Sequence, residues 1–160
     1  VSIAFNGWSV EPISTNPMIG PSAETLIQLG AKYTDLIVNE NQVWRLVTPM
    51  FLHAGLIHYI FNMMALWFVG SAVESIHGFI AVSIIFTISA IGGTLMSAIF
   101  LPQYISVGAS GGIFGLIGSC LADIVINWNL LFSDFVNEGQ SKRSHATILV
   151  VLFIDIGANT

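Results

Sequence analysis

A serine lies among glycines where a polar loop meets an apolar stretch, in the segment Gly108-Ala109-Ser110-Gly111. As a helix, the apolar stretch 110–126 would reach about 25 Å, which is short of a hydrocarbon core of about 30 Å. The serine then falls below the membrane surface, where irregular backbone persists only beside a wet cavity or within protein. There it could act as a nucleophile, with the free N–H groups of a helix start stabilising an oxyanion. The alternative, which this segment alone favours, is a helix N-cap in a small-residue packing face.

His58 and Asn62 are four residues apart, which places both on one face of an otherwise apolar helix. Polar groups at membrane depth are costly and normally face a cavity or a bonding partner. The spacing supports an interhelical hydrogen-bond pair and a catalytic role about equally. Two of the membrane spans predicted below begin at His53 and at Ser110. The predicted topology places both of these starting points on the non-cytoplasmic side. A serine, a histidine and an amide therefore converge on one membrane face, which favours the catalytic interpretation.

Other ionisable residues carry weaker patterns. Glu74 and His77 resemble half of a Glu-x-x-His metal motif, but the second copy is absent, so we predict no metal site and place both in a short cytoplasmic loop. Asp123 and Asp155 lack the flanking residues of intramembrane aspartyl proteases. Asp123 also lies about 20 Å along the helix from Ser110, near the cytoplasmic interface. No His-Glu-x-x-His occurs, which removes the strongest sign of a zinc protease.

The composition is that of a membrane protein. Hydrophobic residues make up 54% of the chain and charged residues 8%, against about 25% charge in a soluble domain. A length of 160 residues allows one domain of about four to five spans. The net charge of -5 leaves no basic surface for a phosphate backbone, so nucleic acid is excluded as a partner. The single cysteine, Cys120, is interpreted as a small buried hydrophobe.

These features predict an all-α, polytopic membrane protein with a single domain. Residues 1–52 hold four of the five prolines and no apolar run long enough to span, which predicts a first loop with short helices such as residues 23–29. Membrane spans are predicted over residues 53–70, 79–101, 110–126 and 146–157. The chain begins at Val1 and stops within an apolar run, so we interpret it as a fragment that lacks the first and last spans.

Charged residues favour one orientation weakly. Lys142 and Arg143 lie between the last two predicted spans, and the positive-inside rule favours the cytoplasm for them. Lys32 and Arg45 balance this pair on the other side of the membrane.

Several motifs, in one order and spacing, resemble the rhomboid family of intramembrane serine proteases. The motifs are Trp44-Arg45, the stretch His53 to Asn62, Gly70 with Glu74, and Gly108-Ala109-Ser110-Gly111. The upstream segment Asn16-Pro17-Met18-Ile19-Gly20-Pro21-Ser22 is similar to the first loop of eukaryotic rhomboids of the secretory pathway. The resemblance implies a rhomboid-like bundle of six or seven transmembrane helices. It also implies an active site that opens to the non-cytoplasmic side and needs no cofactor or metal.

The resemblance also implies residue roles. Ser110 matches the nucleophile, while His58, Asn62 and the backbone N–H of Ser110 match the oxyanion hole. The substrates implied are transmembrane proteins, cut in the bilayer near its non-cytoplasmic face. A secretory-pathway or plasma membrane is favoured over an organelle membrane.

One departure from the family pattern concerns the general base. Rhomboids take it from a histidine on the sixth span, and no such motif occurs in this chain. His145 is predicted on the cytoplasmic side, and His53 is predicted roughly 140° around the helix from His58. The chain therefore carries half of a Ser–His dyad. The alternative function is a catalytically inactive, rhomboid-like pseudoprotease or structural subunit that binds transmembrane helices.

Overall fold

The computed structural model describes residues 2–7 and 9–127. The regular elements of this part of the chain are helices and short helical turns, with one isolated bridge between Lys32 and Ser106. The α-helices are α1 (Ser2–Phe5), α2 (Ala23–Gln28), α3 (Thr34–Asn39), α4 (Leu56–Ala65), α5 (Ser71–Phe100) and α6 (Ser110–Ile126). Two 3₁₀ turns cover Val43–Leu46 and Thr48–Phe51, and a π-helical turn, Leu66–Gly70, joins α4 to α5. The predicted span 146–157, the Lys142-Arg143 pair and His145 lie outside the described residues.

The predicted loop around Glu74 and His77 is wrong, because both residues lie in the first turns of α5. The helical backbone continues from α4 through the π-helical turn and breaks at Gly78, where φ is 79° and ψ is 163°. A positive φ of this size is readily adopted by glycine and disfavours other residues. A single glycine therefore replaces the predicted loop.

The break at Gly78 reverses the direction of the chain. His77 contacts Asp123 near the C-terminal end of α6, whereas Ala90 packs beside Gly111 at its N-terminal end. The second half of α5 therefore runs antiparallel to α6. An 18-residue window of the stretch Leu56–Phe100 has a mean hydropathy of 2.1, and this stretch is long and apolar enough to cross a hydrocarbon core.

Small residues on α6 let α5 approach closely. A Cβ added at Gly111 would lie 3.3 Å from the Cα of Ala90, and one at Gly112 would overlap the ring of Phe86. The main core is formed by side chains from α4 through α6: Ala65, Val69, Val73, Ala109, Ile113, Leu116 and Ile117. This packing carries the N-terminus of α6, and with it Ser110, against the start of α4.

The first loop forms a second, smaller core. Its buried residues are Leu26, Ala31 and Leu52, and Val107 packs against them from the loop that precedes α6. The short helix predicted over residues 23–29 is confirmed as α2, whose N-terminus is capped by the side chain of Ser22. The first loop therefore contacts the chain just before Ser110.

Lys32 and Arg45 do not behave as exposed loop charges. Lys32 is 0% exposed and Arg45 is 5% exposed, and both donate to backbone carbonyls. Burial lowers the pKa of each side chain below its usual value. Both charges are therefore held inside the protein, which the sequence did not predict.

Candidate active site

Ser110 is the first residue of α6, and the N-cap position belongs to Ala109. The carbonyl of Ala109 accepts from the N–H groups of Gly112 and Ile113 at 3.0 and 3.1 Å. No side chain caps this helix start, so the N-cap interpretation of Ser110 is wrong. Because Ser110 begins the helix, its own N–H has no intrahelical acceptor. The hydroxyl of Ser110 and its backbone N–H therefore lie together at the N-terminus of α6.

The absence of a side chain at Gly108 lets His58 and Ser110 approach the backbone at one point. Its φ of 120° is one that residues with a side chain rarely adopt. A Cβ built on it would lie 2.8 Å from Cε1 of His58, 3.0 Å from Nε2 and 3.8 Å from Oγ of Ser110. The imidazole and the hydroxyl thus border the position that this Cβ would take, named here the Gly108 space, and a side chain at position 108 would clash with the imidazole.

A backbone hydrogen bond selects the tautomer of His58. The N–H of Ala54 donates to Nδ1 of His58 at 3.3 Å. A neutral imidazole has one donor and one acceptor nitrogen, so Nε2 carries the proton. The nitrogen that borders the Gly108 space is then a hydrogen-bond donor. His58 is suited to stabilising negative charge there and unsuited to removing a proton.

Asn62 lies one turn further along α4 and is fully buried. Its Nδ2 donates to the carbonyl of His58 at 2.9 Å. Its Oδ1 is buried and has no hydrogen-bond partner among residues 2–7 and 9–127. An unpaired buried amide oxygen costs stability, so its presence calls for an explanation such as a functional role.

His53 lies closer to His58 than the helical wheel predicts. It precedes α4, which begins at Leu56, so the predicted separation of 140° around a helix is wrong. The rings of His53 and His58 meet edge to face with centroids 5.5 Å apart, and Tyr59 contacts His53 in the same way at 5.2 Å. Nε2 of His53 is buried without a partner in the described part of the chain.

The first loop holds the start of α4, a function that the sequence motifs do not reveal. The N–H of Leu56 donates to the carbonyl of Ile19 at 3.0 Å, and Nδ2 of Asn16 donates to the carbonyl of Ala54 at 2.9 Å. The first bond satisfies an N-terminal donor of α4 that no side chain caps, and the second gives the carbonyl of Ala54 a donor. The only signal in the sequence is the Asn16-Pro17 turn, whose partner lies more than 30 residues away.

The ionisable side chains of His77 and Asp123 lie far from this site. Nε2 of His77 is 2.7 Å from Oδ2 of Asp123, which is about 20 Å along α6 from Ser110. Asp155 lies outside the described residues. Within residues 2–7 and 9–127, no three His, Cys, Asp or Glu side chains converge as a metal site would require.

Comparison with known proteins identifies relatives from one family. A family model described as the rhomboid domain matches residues 40–159. RHOMBOID-like protein 6, mitochondrial, of Arabidopsis thaliana is 44% identical over 123 residues, covering 77% of this chain and 40% of that protein. Rhomboid protease GluP of Bacillus subtilis is 39% identical over 137 residues, covering 85% of this chain and 25% of that protein.

A third relative carries the opposite functional name. Inactive RHOMBOID-like protein 8 of Arabidopsis thaliana is 36% identical over 146 residues, covering 91% of this chain and 39% of that protein. The chain spans less than half the length of each of these three relatives. The family model matches most of the chain, and each of these relatives is more than 30% identical to it. Together they show that the chain is a helical membrane protein. The chain belongs to the rhomboid family.

Proposed function

We propose that this chain is the catalytic core of an intramembrane serine endopeptidase that cleaves transmembrane proteins near the non-cytoplasmic membrane face. The supporting observation is the shared space beside Gly108, bordered by Nε2 of His58 and Oγ of Ser110. A protonated Nε2 next to a hydroxyl at a helix N-terminus suits acyl transfer, in which an oxyanion forms beside the nucleophile.

In the proposed reaction, Oγ of Ser110 attacks the carbonyl carbon of a substrate peptide bond. A base takes the hydroxyl proton and passes it to the leaving amine as the C–N bond breaks. Water then attacks the acyl-enzyme, its hydroxyl remains on the released acid, and its other proton returns to Oγ. No metal or cofactor takes part in this proposal.

The oxyanion is proposed to receive hydrogen bonds from Nε2 of His58, the backbone N–H of Ser110 and the amide of Asn62. The first two groups already border the site or lie at the helix start. Asn62 would redirect Nδ2 from the carbonyl of His58, to which it now donates. Removing one such donor typically lowers kcat by about 10² to 10³.

The base is proposed to be a histidine of the full-length protein other than the four histidines of this chain. His58 is excluded from this role because the N–H of Ala54 occupies its Nδ1 and leaves Nε2 protonated. The family resemblance assigns the base to the sixth span. Reading the native sequence beyond Thr160 for a histidine beside glycine tests this point directly.

A fluorophosphonate probe tests the nucleophile. The full-length protein in bilayers should be labelled on Ser110, and Ser110→Ala should abolish labelling. Ser119→Ala is a matched control on the same helix, since the Ser119 hydroxyl donates to the carbonyl of Leu116 at 2.8 Å. Labelling that persists in Ser110→Ala would contradict the assignment.

The second candidate is an inactive rhomboid-like protein that binds transmembrane helices. The 36% identity to Inactive RHOMBOID-like protein 8 favours it. A folded full-length protein that neither reacts with the probe nor cuts a transmembrane substrate, while still binding that substrate, would support this candidate.

The domain and its location complete the proposal. We propose one partial rhomboid domain in residues 1–160, with spans at 53–70, 79–101, 110–126 and 146–157 within a bundle of six or seven helices. The similarity of its first loop favours a secretory-pathway or plasma membrane, although one relative is named as mitochondrial. Imaging of a tagged full-length protein distinguishes these membranes.

A further inference from the structure

Lys32, between α2 and α3, makes four hydrogen bonds to one loop. Its ammonium donates to the carbonyls of Leu101 and Tyr104 at 2.8 and 2.6 Å. Its backbone N–H donates to the carbonyl of Ser106 at 3.0 Å, and its carbonyl accepts from the N–H of Ser106 at 3.3 Å. The side chain is fully buried. One residue of the first loop therefore holds both the beginning and the middle of residues 101–109, named here the serine loop.

The serine loop leads directly into Ser110, and its other end is held separately. The N–H of Gly108 donates to the carbonyl of Pro49 at 2.9 Å, and Val107 packs against the small core of the first loop. Lys32 acts where the loop leaves α5, and Pro49 acts where the loop enters α6. Together they determine the path of the loop and the position of the α6 N-terminus.

The partners of Lys32 are carbonyls and not carboxylates. In the part of the chain that the structure describes, the one contact between a basic side chain and a carboxylate is that of His77 with Asp123. Leu101 is the C-cap residue of α5, where the free carbonyls and the helix dipole favour a cation. Burial lowers the pKa of Lys32, which reflects the cost of desolvating its charge. Without the ammonium, the carbonyls of Leu101 and Tyr104 would lose their donor, so Lys32 fixes both of these groups of the loop.

We propose that Lys32 is a positioning residue for the reaction: it holds the serine loop so that Ser110 and Gly108 keep their places beside His58. The inference rests on the proposed function of Ser110. It predicts that losing the ammonium group affects the chemical step more than substrate binding, because a small misplacement of a nucleophile has a large effect on rate.

The test compares Lys32→Met, which keeps the length but removes the donors, with Lys32→Arg, which keeps a cation with donors. Thr34→Val is the matched control, because the Thr34 hydroxyl bonds the carbonyl of Ala98 on α5 and not the serine loop. In the full-length protein in bilayers, Lys32→Met should lower kcat on a transmembrane substrate about tenfold or more, with KM within about twofold. Lys32→Arg should recover part of the loss, and Thr34→Val should match wild type.

The rate of fluorophosphonate labelling separates this inference from the proposed function. Labelling of Ser110→Ala would overturn the proposed function itself. If Ser110→Ala is silent but Lys32→Met is labelled and turns over at the wild-type rate, the role of Lys32 is overturned and the proposed function stands. A loss in Lys32→Met that appears only in KM would also overturn the role.

If Lys32→Met folds poorly, a second variant still tests the inference. Lys32→Gln keeps two N–H donors without the charge, and amide hydrogen exchange compares its serine loop with the α5–α6 core. Faster exchange at Val107 and Gly108, with an unchanged core, supports the inference. Unchanged exchange at these two amides overturns it, as does failure of every variant to fold, since Lys32 would then be a general folding residue.

Discussion

The backbone N–H of Ala54 lies 3.3 Å from Nδ1 of His58, and this bond determines which imidazole nitrogen can act on Ser110. With Nδ1 accepting, the proton sits on Nε2, the atom that borders the Gly108 space. The relationship leaves Nε2 of His58 as a hydrogen-bond donor, which is the role that the proposed mechanism gives it. The proposed mechanism therefore takes its base from another residue.

Amide substitutions at His58 test the donor role. The nitrogen of Gln can reach the position of Nε2, whereas that of Asn reaches only the position of Nδ1. His58→Gln should therefore retain more kcat than His58→Asn, and His58→Ala should lose about 10² to 10³. Thermal unfolding of each variant serves as the control. Equal activity of the Gln and Asn variants would argue against Nε2 as the acting atom.

Asn62→Ala should separate activity from stability. The substitution removes a buried Oδ1 that has no partner among the described residues, so it relieves a desolvation cost of about 1 to 3 kcal/mol while leaving a small cavity. We expect a midpoint of unfolding close to wild type and a kcat lowered by about 10². Unfolding curves and turnover are measured on the same preparation. A large loss of stability with kcat preserved would indicate a purely structural amide.

Glycines of α6 should differ sharply in their tolerance of a methyl group. A Cβ at Gly112 would overlap the ring of Phe86, whereas one at Gly118 would meet nothing within 4 Å. Gly112→Ala should destabilise the protein by about 1 to 3 kcal/mol through overpacking. Gly118→Ala, the matched control, should be neutral or stabilising by up to about 1 kcal/mol, since Ala favours helix. Denaturant unfolding in micelles distinguishes the two, and similar effects would contradict the α5–α6 packing.

Replacing Arg45 by lysine should lower the free energy of unfolding. Its guanidinium donates to the carbonyls of Ile27 and Ala31 at 2.6 and 2.9 Å and to Oε1 of Gln42 at 2.7 Å. Lys has a compact ammonium and cannot reproduce this planar set of donors. We expect Arg45→Lys to lose about 1 to 3 kcal/mol of unfolding free energy.

Gln42→Ala is the control for this prediction, because it removes only the side-chain acceptor. It should cost about 1 kcal/mol. Unfolding by heat or denaturant measures both variants. An Arg45→Lys protein as stable as wild type would show that charge alone is sufficient at this position.

Local properties of the sequence were sufficient to predict several features of the fold and the family. Composition and apolar run length predicted a helical membrane protein, and the helix α6 has the same bounds as the predicted span 110–126. The short helix after Ser22 followed from the turn-like Gly20-Pro21-Ser22, and the structure adds the local capping bond to Ser22. The motifs around Ser110, His58 and Asn62 identified the rhomboid family because several spaced motifs in one order are specific.

Only the tertiary structure decided how those residues meet. The turn at Gly78, the burial of Lys32 and Arg45, and the contact between His53 and His58 each depend on residues that are distant in sequence or on backbone angles that no local pattern specifies. Residue types and spacings determined which groups could do chemistry, since helical periodicity and hydropathy are local. The fold decided the tautomer of His58 and the position of Ser110, because both depend on hydrogen bonds and packing between separate segments.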